Sequence, residues 1–140
     1  MATYVKYQVF VEDVAEKVHN LGSDTLKIAL TNTAPNVATH AGLADITEIA
    51  AGNGYIAGGT QSTISSSAQT AGTYKLTLAD VVFTASGGAI ATFRYAVLYN
   101  DTSTGDRLIA YWDYGASISV LTGETFTWDA DASTGVLTNA

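Results

Sequence analysis

The sequence predicts an all-β fold: an antiparallel, jelly-roll-like β-sandwich of about eight strands with one short N-terminal helix. Three observations predict it. Short runs of β-branched and aromatic residues recur along the chain, the types that fit a pleated, half-buried surface. Turn signals built on Gly, Asn, Asp and Ser separate these runs about every 8 to 12 residues. Two long apolar runs, 90–100 and 107–114, flank the polar stretch Asn100 to Asp106 and read as one hairpin. That hairpin is too apolar to stand alone, so the rest of the chain has to supply a sheet for it to pack on. No motif repeats at a fixed period, which argues against a solenoid or propeller.

The 140 residues fit a single domain, 1–140, with residues 1–7 as a possible interaction arm. A chain of this length buries roughly two thirds of its unfolded surface, enough for a core. Tyr4 through Phe10 can lead in as a strand. Residues 8–21 carry Phe10, Val11, Val14, Val18 and Leu21 at helical spacing, with Glu12, Asp13 and Glu16 in the early turns and Gly22 at the expected stop. From Asp24 to Asn32, Leu26, Ile28 and Leu30 alternate with Lys27, Ala29 and Thr31, which predicts a strand. A loop from Thr33 to Gly42 holds Pro35, and 43–50 reads as a helical turn or an edge strand. Glycine pairs at 52/54 and 58/59 mark tight turns around Tyr55.

Residues 60–68 form a Ser- and Thr-rich strand with Ile64 as its large apolar residue, which suits an exposed edge. Residues 73–84 continue as a strand that breaks near Asp80. In the hairpin, strict alternation puts Phe93, Tyr95, Val97 and Tyr99 on one face and Ile90, Thr92, Arg94, Ala96 and Leu98 on the other. Its second arm puts Leu108, Ala110, Trp112 and Tyr114 opposite Ile109, Tyr111 and Asp113. Because both faces are apolar, the hairpin should be covered on both sides or lie at a subunit contact. Short strands at 118–121, 125–128 and 136–138 complete the set.

Composition narrows function. The net charge is −7 with six Lys and Arg in total, so there is no basic cluster for nucleic acid or for an anionic membrane. There is no Cys, hence no disulfide framework and no thiolate metal site. The start lacks the pattern of a signal peptide, and no run approaches the roughly 20 apolar residues of a membrane span, which predicts a soluble chain made in the cytoplasm.

Catalytic chemistry is sparse. His19 and His40 are the two histidines, one on the predicted helix and one in a loop, and solvated or capping roles suit them better than a Ser–His–acid set. Asp129 to Gly135 spaces oxygens like a calcium loop, but its Gly falls one place late and Ala140 stands where a bidentate Glu belongs, so an ordinary turn is the better reading. Asp113 and Glu124 could be paired carboxylates only by their nearness to aromatics. Neither catalytic residues, a cofactor nor a metal is expected.

The aromatics remain. Tyr4, Tyr7, Tyr95, Tyr99, Tyr111, Trp112, Tyr114 and Trp128 fit core packing, a protein interface or a sugar-stacking platform. Tyr111 and Tyr114 fall on opposite faces, so one site cannot hold them all. The candidate protein interface is Tyr4, Tyr7, Tyr111, Trp112 and Tyr114, together with edge strands whose unpaired backbone can add another chain.

The order of several short motifs carries a resemblance. They are 18–22 (VHNLG), 26–35 (LKIALTNTAP), 45–55 (DITEIAAGNGY) with Gly58 and Gly59, 83–88 (FTASGG), 93–100 (FRYAVLYN) and 112–115 (WDYG). In this order the chain resembles small virion proteins of tailed double-stranded DNA phages, in particular capsid cement, or decoration, proteins of podophages. The resemblance spans about residues 8–138. It implies a jelly roll docked on the outer surface of the head, binding the major capsid protein as a homodimer, with no catalytic residues. The alternative of another class is a carbohydrate- or receptor-binding module of the virion tail, using an exposed Trp112 or Trp128.

Overall fold

The computed structural model describes residues 2–139. Met1 of the expected arm and Ala140 at the other end of the expected domain lie outside the described residues. Among the described residues there are ten strands, one α-helix and one 3-10 turn, so the all-β expectation holds with more strands than the expected eight or so. All strand pairs are antiparallel. β1 (Thr3–Lys6), β2 (Leu26–Thr31), β3 (Thr60–Ser62), β7 (Ile90–Asn100) and β8 (Leu108–Val120) form a five-stranded sheet in the order β1-β8-β7-β2-β3. β4 (Ile64–Thr70), β5 (Thr73–Leu78) and β10 (Leu137–Asn139) form a second sheet in the order β10-β5-β4. β6 (Val81–Thr84) pairs with β9 (Thr125–Trp128). The β1·β8 and β2·β7 pairings join strands far apart in sequence, as the ladders of a jelly roll do.

The main core lies between the five-stranded sheet and the two smaller ones. Ile28, Leu30, Ala96 and Leu98 meet Leu76, Leu78, Phe83 and Trp128 there. A smaller cluster covers the opposite face: Tyr7, Ala29, Val97, Tyr99 and Leu108 pack with Ile46, under Val37 and Leu43 of the long β2–β3 connection. β7 is therefore covered on both sides, as its two apolar faces require. The covering connection is pinned from within. Glu48 Oε1 accepts the Tyr55 hydroxyl at 2.5 Å and the Gly58 N–H at 2.8 Å, and Tyr99 donates its hydroxyl to the Gly58 carbonyl at 2.5 Å.

Three expectations need correction. The helix α1 spans Val9–Ala15, not 8–21. It stops early because Lys17 takes the left-handed conformation at φ 65°. The Val18 N–H then bonds back to the Asp13 carbonyl at 2.9 Å and the Lys17 N–H to that of Val14 at 3.4 Å, a Schellman closure with Lys in the place of Gly. Strict alternation also fails in the hairpin. Leu98 pairs with Ala110 and Tyr99 with Leu108, so Ile109 is an extra residue. Ile109 consequently joins Ala110 in the main core while Leu108 turns to the smaller cluster. Similar register shifts flank Phe93 and bring it to the side of Ala96 and Leu98. Finally, 107–114 and 118–121 are not separate strands. β8 runs through to Val120, with Phe93 opposite Ile118 and Tyr95 opposite Asp113. The surplus residues on β8 form a wide bulge at Gly115, whose φ of 82° favours Gly.

Candidate interaction surface

The N-terminal segment is part of the fold and not a free arm. β1 pairs with β8 in the register Thr3–Asp113, Tyr4–Trp112, Val5–Tyr111 and Lys6–Ala110. Directly opposed residues share a face. Tyr4 therefore meets Trp112 edge to face at a centroid distance of 5.4 Å, and Trp112 meets Trp128 at 4.9 Å. The three rings lead from the surface into the core: Tyr4 is 40% exposed, Trp112 is half-buried, and Trp128 is 1% exposed.

Tyr7 lies on the other side of the sheet. It has no exposed surface, and its N–H bonds to the Ile109 carbonyl at 3.1 Å. Its ring packs on Tyr111 at 5.7 Å, and Tyr111 packs on Tyr95 at 5.9 Å. Burial, with Tyr111 nearby, pushes the Tyr7 phenol far above its ordinary range. Tyr7 thus offers nothing to a partner in this structure and is a core residue. Tyr114 is half-buried against Phe126 at 5.2 Å, and its phenol is pushed up to about 12 by burial with Asp129 nearby. Of the five expected interface residues, the structure brings Tyr4, Trp112 and Tyr114 to the main-core side, leaves Tyr111 half-buried on the other, and withdraws Tyr7.

Trp112 and Tyr114 also line a cavity of about 990 Å³ with Asp80, Asp129 and Asp131 at its rim. Asp80 is already engaged, accepting the Ala130 N–H at 2.8 Å. Asp131 caps its own turn: it accepts the N–H groups of Ser133 and Thr134 and the Thr134 hydroxyl, which hold its carboxyl below the usual range. That geometry is the ordinary turn expected of 129–135. Among the described residues no cluster of three or more His, Asp or Glu is arranged to hold a metal ion.

The other candidates have local structural work. Asp113 is bound by Arg94 and by the Gly115 N–H, and Glu124 accepts the Leu121 N–H at 2.9 Å. His19 sits in a buried polar group that ties the α1–β2 connection to the hairpin. Its Nδ1 faces the Asn100 amide at 3.0 Å, Asn100 donates to Asp24 at 2.6 Å, and Asp13 takes a two-pronged pair from Arg107 at 2.8 and 3.0 Å. The Nε2 of His19 lies 3.9 Å from Asp13 with no hydrogen-bond partner. The serine hydroxyl in this group, that of Ser103, donates to the Asn100 carbonyl at 2.7 Å and accepts the Arg107 N–H at 2.9 Å, not His19, so the group is a structural tie and not a nucleophilic set.

Sequence reasoning missed the outward side of α1. Val11 is 58% exposed and Val14 40%, although both belong to the apolar set that recurs at helical spacing. The short Schellman-closed helix and its position beside β1 were not visible in periodicity alone.

No family model, no curated protein and no solved structure matches this chain. No helix among the described residues is long and apolar enough to cross a membrane.

Proposed function

We propose that this chain is a structural virion protein that binds the outer surface of a phage head and cements neighbouring major capsid protein subunits, acting as a homodimer. The resemblance in motif order gives the class. The observation that carries it is the outer side of β1. As the terminal strand of a five-stranded sheet it has one backbone side without a strand partner among the described residues, and it presents Tyr4 backed by Trp112. Free strand edges add strands from other chains, and Tyr is enriched at interface centres. A bridge between two shell subunits adds binding free energy that must be lost before they separate, and a stable one needs roughly 800 Å² per partner.

The test is abundance in the particle. Purified virions, run on a quantitative stained gel, should show this 14.6 kDa chain in amounts comparable with the major capsid protein. A few copies per particle, or none, would overturn the reading.

A second reading has one observation in its favour. The cavity beside Trp112 and Tyr114 combines aromatic side chains with carboxylates, the mixture that binds sugars, and would suit a carbohydrate- or receptor-binding module on a tail. Trp128, buried beneath Trp112, has no part in it. Titrating cell-surface glycans and watching tryptophan fluorescence decides this: a saturable change supports the module, and a flat response supports the cement.

A further inference from the structure

The groove between α1, β1 and β10 has an unusual charge. It encloses about 510 Å³, and its walls include Tyr4, Phe10, Val11, Val14 and Leu137 with Lys6. A second hollow of about 600 Å³ continues from it, sharing Val14, Leu21, Tyr74 and Asn139 and adding Lys17 and His19. The chain has 13 acidic residues against six basic ones, yet among the described residues no Asp or Glu lines either hollow. Ion pairs occupy Arg94, Arg107 and Lys27, and Lys75 is bonded to the Ser133 carbonyl; Lys6 and Lys17 pair with no acid among the described residues. Apolar exposure is concentrated here too. Of the six large apolar side chains that stand exposed among the described residues, Tyr4, Val11 and Val14 line this one groove. Isolated exposed apolar residues need no explanation, but a cluster does. The groove is also bordered by two terminal strands, β1 and β10, each with a backbone side unpaired by any other strand among the described residues.

We propose that this groove receives an extended segment of another polypeptide, with apolar side chains set against Val11 and Val14 and carboxylates directed at Lys6 and Lys17. Strand edges supply main-chain pairing, the apolar wall supplies burial, and the lysines select the sign of charge. The rest of this protein is acidic, so an acidic ligand is repelled elsewhere and is drawn to this groove. The inference deepens the cement reading by naming the chemistry of the partner segment, and rests on that reading only for the partner's identity.

The experiment uses the full chain, ¹⁵N-labelled, and two capped peptides, one alternating Val with Glu and one alternating Val with Lys. The Glu peptide should shift the amides of Val11, Val14, Tyr74 and Leu137 saturably. The Lys peptide should bind at least about tenfold more weakly, a difference of about 1.4 kcal/mol. Val14→Asp should weaken the Glu peptide by a similar factor, and Lys6→Glu with Lys17→Glu should reverse the preference. Equal binding of the two peptides, shifts elsewhere, or no shift with either would overturn the proposal. So would concentration-dependent shifts of these amides without peptide, which would make a second copy the occupant. The virion gel fails or succeeds separately, so loss of the cement reading and loss of this one are distinguishable.

Discussion

Arg94 and Asp113 meet across β7 and β8 as a two-pronged pair, Nε to Oδ1 at 2.8 Å and a terminal guanidinium nitrogen to Oδ2 at 3.1 Å, at the point where the ladder breaks. The same Oδ1 accepts the Gly115 N–H at 2.8 Å. One carboxylate thus fixes the arm of the bulge and its left-handed residue together. These hydrogen bonds, the Arg94 one foremost, hold the Asp113 carboxyl below the usual range.

The bulge gives the first prediction. Asp113→Asn keeps an acceptor for Gly115 and loses only a half-exposed ion pair, which costs less than about 1 kcal/mol. Asp113→Ala removes both and should cost about 1 to 2 kcal/mol. Urea unfolding of the two variants checks this. Equal losses would mean that the turn contact contributes nothing.

Gly59 gives the second. At φ 76° it lies so close to β2 that a Cβ would collide with the Ile28 carbonyl oxygen. Gly72 has a similar φ of 85° and open space around it. Gly72→Ala should cost about 1 kcal/mol, the left-handed penalty alone, and Gly59→Ala about 3 kcal/mol or more, because backbone has to move. Similar midpoints for the two variants in denaturant would refute the close approach.

These two sites mark the limit of what the residues disclose. The strands of Leu26, Ile28 and Leu30 and of 90–100 were legible because burial on two faces leaves β-branched and aromatic runs. The break at Asp80 was legible for the same reason, since Val81 and Phe83 resume the alternation beyond it. The faces of Phe93, Leu108 and Ile109 were not, because a bulge adds a residue without changing composition. Tyr4 and Tyr7 look alike in type, and strand alternation puts residues three apart on opposite faces without saying which face is covered. Packing decides it: Tyr7 is buried in the smaller cluster with Leu108 and Ile46, and Tyr4 is left at the surface. The groove on α1 was hidden because its lysines and valines come from separate elements.

His19 gives a pH prediction. Burial lowers its pKa below 6.5, overcoming Asp13 and Asp24, which raise it, while Arg107 adds to the lowering. Above pH 6.5 the ring is neutral in folded and unfolded chains alike, and stability is at its full value. As pH falls through 6.5 the unfolded ring takes a proton that the folded ring refuses, so stability declines until the folded pKa is reached. The slope cannot exceed about 1.4 kcal/mol per pH unit for one group. The Asp45, Asp113 and Asp131 carboxyls, whose pKa values lie below 3.8, contribute their losses at lower pH. Unfolding free energies at pH 7.5 and 5.5 should therefore differ in the native chain and differ less in His19→Gln. An equal pH response in both would assign the effect to other groups.

Tyr7 decides how the N-terminal segment should be probed. Its ring is fully buried in the smaller core cluster, and its hydroxyl has no hydrogen-bond partner. A buried, unpartnered hydroxyl costs desolvation and returns nothing. Tyr7→Phe should therefore leave stability unchanged or raise it by about 1 kcal/mol, whereas Tyr7→Ala opens a cavity and should cost about 3 to 5 kcal/mol. Deleting residues 1–7 would remove this ring and the whole β1 ladder, so the truncated chain should melt well below the native one. Loss of particle binding by that deletion would then report unfolding as much as a lost contact. Tyr4→Ala separates the two: Tyr4 is exposed and leaves the ladder intact, so it should lower particle binding while moving the melting temperature little. Thermal melts beside a binding assay for Tyr4→Ala, Tyr7→Phe and the deletion test the assignment. A deletion that melts like the native chain would restore residues 1–7 as a free arm.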